Sequence, residues 1–379
     1  MNTLSIYFEK IFGKETQLCC FAPGRVNLIG EHTDYNGGYV FPCAINMGIY
    51  CAAAKRNDNV LRFYSADFQN QGIIEYKSDD FNLKNCWADY PVSVINSLAS
   101  FGYELPSGAD FLFSGDLPNG AGLSSSAALE VVTGTILREL FSIPLTNQEI
   151  ALIGQFAENR FIGVNCGIMD QFASAMGREG DAILLNANTL SYNYAPIGNA
   201  AIVIVNSGVK HSLASSAYNQ RRRECEYAAS ELKIHSLCSV IPDEFESRKM
   251  LITDEICRKR AKHAVYENRR VIDAADALER GDLQTFGMLM NSSHTSLRDN
   301  YEVSCEELDF LAENAQRMPG VYGARMTGGG FGGCTVNLMK QDAVDNFISD
   351  IKSLYENRFG IRAEIYSVSA ANGAEICGM

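Results

Sequence analysis

The stretch that most limits how this chain can fold is residues 115–130, where a loop that breaks regular structure leads directly into a helix. Pro118, Gly120 and Gly122 interrupt any strand or helix. Three consecutive serines follow at positions 124–126, and apolar residues then recur at helical spacing, which predicts a helix that begins near the serines. The unpaired N–H groups and positive dipole end of such a helix favour a bound anion. We interpret the stretch as a phosphate-binding loop; the simpler alternative is a serine N-cap after an ordinary turn.

A chain of 379 residues, 46% of them hydrophobic and 20% charged, is long enough for two globular domains. Its 45 acidic and 32 basic residues give a net charge of −13, which disfavours nucleic acid and anionic membranes as partners. The longest apolar runs are too short to span a bilayer, and no signal-peptide pattern is found. The 12 cysteines contain no C-x-x-C pair and the 5 histidines are scattered, so we expect reduced thiols and no zinc site. These features predict a cytoplasmic protein without a membrane or nucleic-acid partner, and we expect a monomer.

Strand-like and helix-like segments alternate along the chain, which predicts an α+β fold in which sheets pack against helices. Strands are predicted over residues 18–22, 39–54, 60–64, 72–76, 110–114, 182–186, 201–206, 321–326, 334–340 and 361–367. Helices are predicted over residues 1–14, 92–101, 127–141, 147–161, 168–177, 214–232, 252–280, 305–317 and 343–358. Thr146 and Glu149 fit a capping box at the start of the fourth helix. We divide the chain into an N-terminal domain, residues 1–195, and a C-terminal domain, residues 196–379.

Residues 24–38 concentrate many hydrogen-bond donors and acceptors in a short irregular run, the kind of set that neighbouring sugar hydroxyls require. A solvated polar turn is the other interpretation, and it is the commoner fate of such runs. Val26, Leu28 and Ile29 draw the run into the protein, where its polar groups need partners. From these residues alone both interpretations stay open.

Glu158 and Asp170 lie on either side of a glycine-containing break between two predicted helices. A carboxylate near phosphates can hold Mg²⁺ together with a hydroxyl and waters. Another carboxylate can orient and deprotonate an alcohol. Acidic residues at helix ends are also routine, and taken alone these two residues favour that simpler interpretation.

Residues 328–333 contain five glycines in six positions and match G-x-G-x-x-G formally. A dinucleotide fingerprint needs a helix after it, whereas a strand-like segment follows here, so we reject a Rossmann fold. Close approach of this backbone to a ligand or to another loop explains the glycines better. The chain contains no Walker P-loop and no G-x-S-x-G elbow.

These segments, in this order, resemble the motifs of the GHMP family of small-molecule kinases. Residues 24–38 resemble the sugar signature of the galactokinase branch, whereas the serine-rich and glycine-rich loops are shared across the family. Residues 166–171 and 296–305 add further agreement, so the resemblance spans nearly the whole chain. It implies an α+β fold of two lobes with the active site between them: an N-terminal ribosomal-S5-domain-2-like lobe and a C-terminal ferredoxin-like lobe.

The resemblance also implies phosphoryl transfer from MgATP to the C1 hydroxyl of α-D-galactose, the first committed step of galactose metabolism. Asp170 would be the catalytic base and Arg25 would stabilise charge on the transferring group. Sugar contacts would come from Glu31, His32, Thr33, Asp34, Gly167, Asp170 and Tyr218. ATP contacts would come from Ser65, Gly120, Ala121, Gly122, Leu123, Ser124, Ser125 and Ser126. Ser126 and Glu158 would hold Mg²⁺.

Two alternatives share the implied architecture. One is an N-acetylgalactosamine kinase, which the sequence does not exclude. The other is a regulator that senses galactose and ATP without catalysis; in such relatives the Ser-Ala step after the phosphate loop is missing. Here Ser126 and Ala127 are present, as are Arg25 and Asp170, so the enzyme is favoured. Mevalonate-type kinases lack the polar run at residues 31–34.

Overall fold

The computed structural model describes residues 3–77, 82–118, 122–210 and 214–378. The helices within these ranges are α1 (Thr3–Phe12), α2 (Asp89–Ser100), α3 (Ser125–Phe141), α4 (Asn147–Ala157), α5 (Met169–Met176), α6 (Ala214–Leu232), α7 (Pro242–Arg248), α8 (Glu255–Glu279), α9 (Leu283–Ser296), α10 (Glu306–Ala315) and α11 (Val344–Phe359). The strands are β1 (Leu18–Asn27), β2 (Tyr39–Val40), β3 (Pro42–Lys55), β4 (Val60–Ser65), β5 (Ile74–Lys77), β6 (Ala109–Gly115), β7 (Asp181–Asn186), β8 (Tyr192–Pro196), β9 (Ala200–Lys210), β10 (Val321–Thr327), β11 (Gly332–Lys340), β12 (Glu364–Val368) and β13 (Glu375–Ile376).

The strands form three sheets. A six-stranded sheet has the order β13-β1-β3-β6-β4-β5, and its only parallel pair in the described part of the chain is β4 with β6. A four-stranded antiparallel sheet has the order β10-β11-β9-β12, and β2, β7 and β8 form the third sheet. Sheets packed against helices confirm the α+β, two-lobed fold class. The division between residues 195 and 196 stays a prediction.

The polar run at residues 24–38 lies inside the protein. Its apolar members Val26, Leu28 and Ile29 are buried and share one hydrophobic core with Val271 of α8 and Phe286 of α9. This core joins elements from both halves of the chain, so the run is fixed between them. A solvated turn is therefore excluded, and the polar side chains of the run must find partners in the interior or in a ligand.

The structure confirms that a helix begins at the serines, because α3 starts at Ser125. It differs from the prediction at β1, which continues beyond residue 22 to Asn27. This extension pairs with β3 after a register shift between Pro23 and Arg25. A buried partner strand thus imposes extended backbone on residues whose polar composition indicates a loop. As a result Arg25 is held on a sheet.

The sequence analysis does not predict four elements, α7, β8, α9 and β13, and the contacts of β8 and α9 show why. Strand β8 is only five residues long and includes Asn193 and Pro196, which are poor strand formers, but it pairs along β7. Helix α9 contains Gly287 and a polar run near its end, which lower its helix propensity, yet it packs against β10. The helix predicted over residues 147–161 instead ends at Ala157 and continues as a π turn, Glu158–Ile162. Tertiary contacts decide all of these elements.

No helix in the described ranges is long and apolar enough to cross a membrane. None of the twelve cysteines, all of which lie in the described ranges, forms a disulfide.

The capping box at the start of α4 is present as predicted. The Thr146 hydroxyl accepts the Glu149 N–H at 3.2 Å, and Glu149 accepts the Thr146 N–H at 2.7 Å. We expect Thr146→Ala to lower the free energy of unfolding by about 1 kcal/mol, because it leaves a helix N–H unsatisfied. Chemical denaturation measures this difference. Thr295→Ala within α9 is the control: its hydroxyl bonds only a helix carbonyl, so we expect little change. Equal losses in the two variants would contradict the capping role.

Candidate active site

A bidentate ion pair between Arg25 of β1 and Asp170 of α5 forms the centre of the site. Arg25 Nε donates to Asp170 Oδ1 at 2.8 Å, and Nη2 donates to Oδ2 at 2.8 Å. Arg25 Nη1 donates to the Gly122 carbonyl at 2.7 Å, and the Ser124 hydroxyl donates to Asp170 Oδ2 at 2.6 Å. The Arg25 side chain is buried, whereas that of Asp170 is 30% exposed. The carboxylate is therefore fixed in orientation and still open to a ligand.

A cavity of about 260 Å³ lies beside this ion pair. Residues from the polar run, the α4–α5 connection, α6 and the glycine-rich loop line it: Arg25, Glu31, His32, Asp34, Glu158, Val164, Cys166, Gly167, Met169, Asp170, Tyr218, Gly328, Gly329, Gly330 and Phe331. The structure thus brings together the predicted sugar-contacting residues with one exception. Thr33 is buried away from the cavity and donates its hydroxyl to the carbonyls of Gly30 and Tyr39. The prediction that Thr33 contacts the sugar does not match this placement, because its hydroxyl is hydrogen-bonded within the loop instead.

Asp34 and Gly167 form one wall of the cavity in close contact. A Cβ atom at Gly167 would lie 1.8 Å from Asp34 Oδ2, so only glycine allows this approach. Asp34 accepts the N–H groups of Tyr35, at 2.9 Å, and Met169. Burial raises the pKa of Asp34 to about 6; these N–H groups oppose the shift and the neighbouring Asp170 adds to it. This wall of the cavity therefore carries a carboxyl group with a pKa of about 6.

Glu31 faces the cavity but is also fully engaged by the protein. Oε2 accepts from Asn27 Nδ2 at 2.7 Å and is paired with Arg325 of β10. Oε1 accepts from the Gly328 N–H at 3.0 Å and from the Thr327 hydroxyl. The glycine-rich loop thus closely approaches the polar run, as predicted, and β11 follows it as a strand. Glu31 connects the two motifs that enclose the cavity.

His32 is neutral and presents one ring nitrogen without a protein partner. Nδ1 is hydrogen-bonded to the Tyr35 hydroxyl at 2.8 Å, whereas the buried Nε2 has no hydrogen-bond partner in the described residues. Burial lowers the pKa of His32 well below its ordinary value. A ligand in the cavity can therefore meet an uncharged imidazole.

A second cavity, of about 200 Å³, lies on the other side of the start of α3. Ser65, Ser125 and Ser126, which were predicted to contact the nucleotide, line it. Among the further lining residues, which the sequence analysis missed, are Asp67, Phe68, Trp87 and Tyr90. The rings of Phe68 and Trp87 are nearly parallel, at 14° and 6.4 Å between centroids, and the buried Trp87 Nε1 has no partner in the described residues. These features suit a flat heteroaromatic ligand.

The remaining predicted ATP contacts occupy different positions. Ser124 is hydrogen-bonded to Asp170, and the Leu123 side chain is buried in the core while its carbonyl accepts the Arg25 N–H. Gly122 is engaged by Arg25, whereas Gly120 and Ala121 lie outside the described residues. The loop and the ion pair are therefore one connected unit.

Ser126 and Glu158 are neighbours at the boundary between the two cavities, since Ser126 lines the second cavity, Glu158 lines the first, and the Ser126 hydroxyl acts to lower the pKa of Glu158. Burial raises the pKa of Glu158, and the nearby Asp170 raises it further. A hydroxyl and a carboxylate in contact supply the hard oxygen ligands that suit Mg²⁺. No group of three or more His, Cys, Asp or Glu side chains among the described residues could hold a metal by itself. The pair instead fits a cation that phosphates also coordinate.

Comparison with known proteins shows to which family the chain belongs. The galactokinase galactose-binding signature matches residues 7–55, the GHMP kinase N-terminal domain matches residues 89–178, and the GHMP kinase C-terminal domain matches residues 274–357. The chain is 49% identical to the galactokinase of Clostridium beijerinckii, over 100% of this chain and 99% of the relative. The chain belongs to the galactokinase family of GHMP kinases. The galactokinase of Bacillus subtilis is 48% identical over 97% of this chain and 96% of its own.

The galactokinase family is also supported by solved structures. The crystal structure of Lactococcus lactis galactokinase complexed with galactose matches with a TM-score of 0.95 and 42% identity, over 98% of each chain. The mevalonate kinase of Methanococcus jannaschii has a TM-score of 0.66 at 19% identity and shows the shared fold alone. The predicted family, the two-lobed fold and the assignment as a galactokinase-type enzyme are confirmed.

Proposed function

We propose that this galactokinase-family chain transfers the γ-phosphoryl group of MgATP to the C1 hydroxyl of α-D-galactose, giving galactose 1-phosphate and ADP. The observation that carries the proposal is the meeting of the two cavities at Ser126, Glu158 and Asp170. One cavity suits a polyhydroxy ligand and the other a flat base, so a transfer between them crosses the start of α3. The related crystal structure with galactose supports the sugar as the acceptor.

In this proposal the sugar occupies the first cavity. The Asp34 carboxylate offers two acceptors, and His32 Nε2 offers a donor or acceptor that no protein group uses. Gly167 lets the backbone approach the ligand. The apolar faces of Tyr218 and Phe331 complete the walls. Such a site holds a sugar by fixed hydrogen bonds in a partly buried cavity.

Asp170 acts as the base for the acceptor hydroxyl. Its two oxygens are oriented by Arg25, and Ser124 donates to one of them, so the carboxylate needs little rearrangement to accept a proton. Arg25 also reaches the Gly122 carbonyl in the loop before α3, where it can stabilise charge on the transferring phosphoryl group. Phosphoryl transfer depends mainly on such alignment and charge neutralisation.

ATP lies with its base in the second cavity and its phosphates at the N-terminus of α3, whose free N–H groups favour anions. Phe68 and Trp87 flank the base. Ser126 and Glu158 hold Mg²⁺, which neutralises phosphate charge when bound. We expect a cytoplasmic location, since none of the twelve cysteines forms a disulfide, and we expect the chain to act as a monomer.

A substrate panel tests the function. An assay coupled to ADP release should show the highest kcat/KM with galactose among galactose, N-acetylgalactosamine, glucose and mevalonate. A preference for N-acetylgalactosamine would replace the proposed acceptor. Binding of galactose and ATP with no ADP release from any of the four would indicate the sensing regulator.

Asp170→Asn should remove most turnover and leave galactose binding largely intact. The amide keeps the shape of the side chain but cannot take the proton, so we expect kcat to fall by about 10² to 10⁴. Steady-state kinetics and calorimetric titration with galactose measure the two effects separately. Asp273→Asn, a surface carboxylate paired with Arg269 on α8, is the control and should change neither. Equal losses of sugar affinity and turnover in Asp170→Asn would argue against the role as base.

Galactose affinity should fall as the pH is lowered through about 6, the pKa of Asp34. Above that pH the carboxylate is ionised and accepts hydrogen bonds from the sugar; below it, binding must first release a proton, which weakens affinity by up to about tenfold per pH unit. His32 adds nothing to this slope, because its pKa is lowered and it stays neutral. Calorimetry in two buffers of different ionisation enthalpy measures affinity and proton release together.

For Asp34→Asn we expect weaker binding near pH 7.5 and a flatter profile below it. A wild-type affinity that is constant down to about pH 5 would contradict the assignment of this carboxylate.

A further inference from the structure

Glu130 is a buried carboxylate to which the proposed reaction assigns no part. It lies on α3 one helical turn after Ser126 and its side chain is fully buried. Its Oε1 atom has no hydrogen-bond partner in the described residues. Its Oε2 accepts a hydrogen bond from Gln171 Nε2 of α5 at 2.9 Å. Burial raises the pKa of Glu130 well above its ordinary value, and the nearby Glu158 raises it further. A buried polar side chain at this place needs a reason, because an apolar side chain would fill the same space without desolvating a polar group.

The Gln171 side chain explains why Glu130 is buried here, because its amide group also contacts a second carboxylate. The same Nε2 atom donates to Glu158 Oε2 at 2.8 Å, so one amide group bridges two carboxylates. The Gln171 Oε1 atom has no hydrogen-bond partner in the described residues. The two donated bonds therefore set the orientation of the amide, and loss of one leaves it poorly defined.

Packing holds the bridge in place. A Cβ atom at Gly154 of α4 would lie 3.2 Å from Gln171 Cγ and 3.3 Å from Glu130 Cβ, so helices α3, α4 and α5 meet here without spare room. Glu158 Oε2, the oxygen that accepts from Gln171, also accepts from the Cys166 thiol at 3.3 Å, and the Ser126 hydroxyl lies near the same carboxylate. The Glu158 carboxylate is thus held through Oε2, and Glu130 acts on it through the Gln171 amide.

We propose that Glu130 is a positioning residue for the cation site: through Gln171 it fixes the Glu158 carboxylate in the orientation that, with Ser126, receives the divalent cation. The inference rests on the proposed function, in which Ser126 and Glu158 hold Mg²⁺. Residues that orient a metal ligand from behind set its affinity for the metal. Asp34 and His32, the proposed sugar contacts, are held by Tyr35 instead and not by Gln171 or Glu130.

The experiment measures binding of Mn²⁺ to the complex of full-length protein and ADP by electron paramagnetic resonance, with galactose affinity measured in parallel. Glu130→Met removes the acceptor for Gln171 and should weaken Mn²⁺ binding about tenfold or more. Glu130→Gln keeps an oxygen that can accept the same hydrogen bond and should stay within about threefold of wild type. Galactose affinity should be unchanged in both variants.

Glu139 supplies the matched controls, since it lies on the same helix, is partly exposed and pairs only with Arg138. Glu139→Met and Glu139→Gln should leave Mn²⁺ binding unchanged. If Glu130→Met does not fold, Gln171→Met breaks the same bridge at its centre and should give the same selective loss.

Wild-type Mn²⁺ affinity in a folded Glu130→Met or Gln171→Met variant would overturn the positioning role. A parallel loss of Mn²⁺ and galactose affinity would also overturn it, because that pattern indicates general damage to the site. If the wild-type complex with ADP binds no Mn²⁺ while galactose still binds, the cation site of the proposed function fails, and the inference fails with it.

Discussion

The bidentate pair of Arg25 and Asp170 is the interaction on which the site depends. It joins β1 to the start of α5, and its remaining contacts, to Gly122 and Ser124, add the loop before α3. A buried guanidinium is tolerated only when its charge and its donors are satisfied, so these segments must come together in one arrangement for Arg25 to be buried at all. The cost of leaving that charge unpaired therefore keeps Asp170, the loop before α3 and the sheet in one arrangement.

A second buried ion pair, between Glu31 and Arg325, joins the two halves of the chain in a similar way. Glu31 belongs to the polar run and Arg325 to β10, and the Gly328 N–H completes the contact. The cavity is enclosed because these distant segments satisfy one another. The polar run thus has two classes of residue: some, such as Glu31 and Thr33, satisfy the protein, and others, such as Asp34 and His32, keep capacity for a ligand.

Those features of the fold and the site that depend on one local sequence pattern could be predicted. The start of α3 and the capping box at Thr146 follow from short-range chemistry, and both are present. The extension of β1 to Asn27 could not be predicted, because β3, a partner distant in sequence, imposes it. Trp87 is distinctive in the sequence as the only tryptophan, but the contact between its ring and that of Phe68 depends on the tertiary fold.

The sequence also does not show which residues of one motif contact the protein and which face a ligand. Spacing placed Glu31, Thr33 and Asp34 in one polar run, but only the packed structure shows which side chains turn inward. Thr33 is the clearest example, since its hydroxyl finds two carbonyls that no local rule identifies. A motif therefore identifies the segment that forms a site more reliably than it identifies each contact.

The pairing of β13 with β1 has a consequence for how the protein is made. Cys20 and Phe21 pair with Ile376 and Glu375, so the edge of the sheet that carries Arg25 is covered by residues synthesised some 350 positions later. Until then a nascent chain on the ribosome exposes the unpaired backbone of β1, and an exposed strand edge invites pairing with other chains. This part of the β1 edge is therefore exposed to such pairing until β13 emerges, when the other strands of the sheet have already been synthesised.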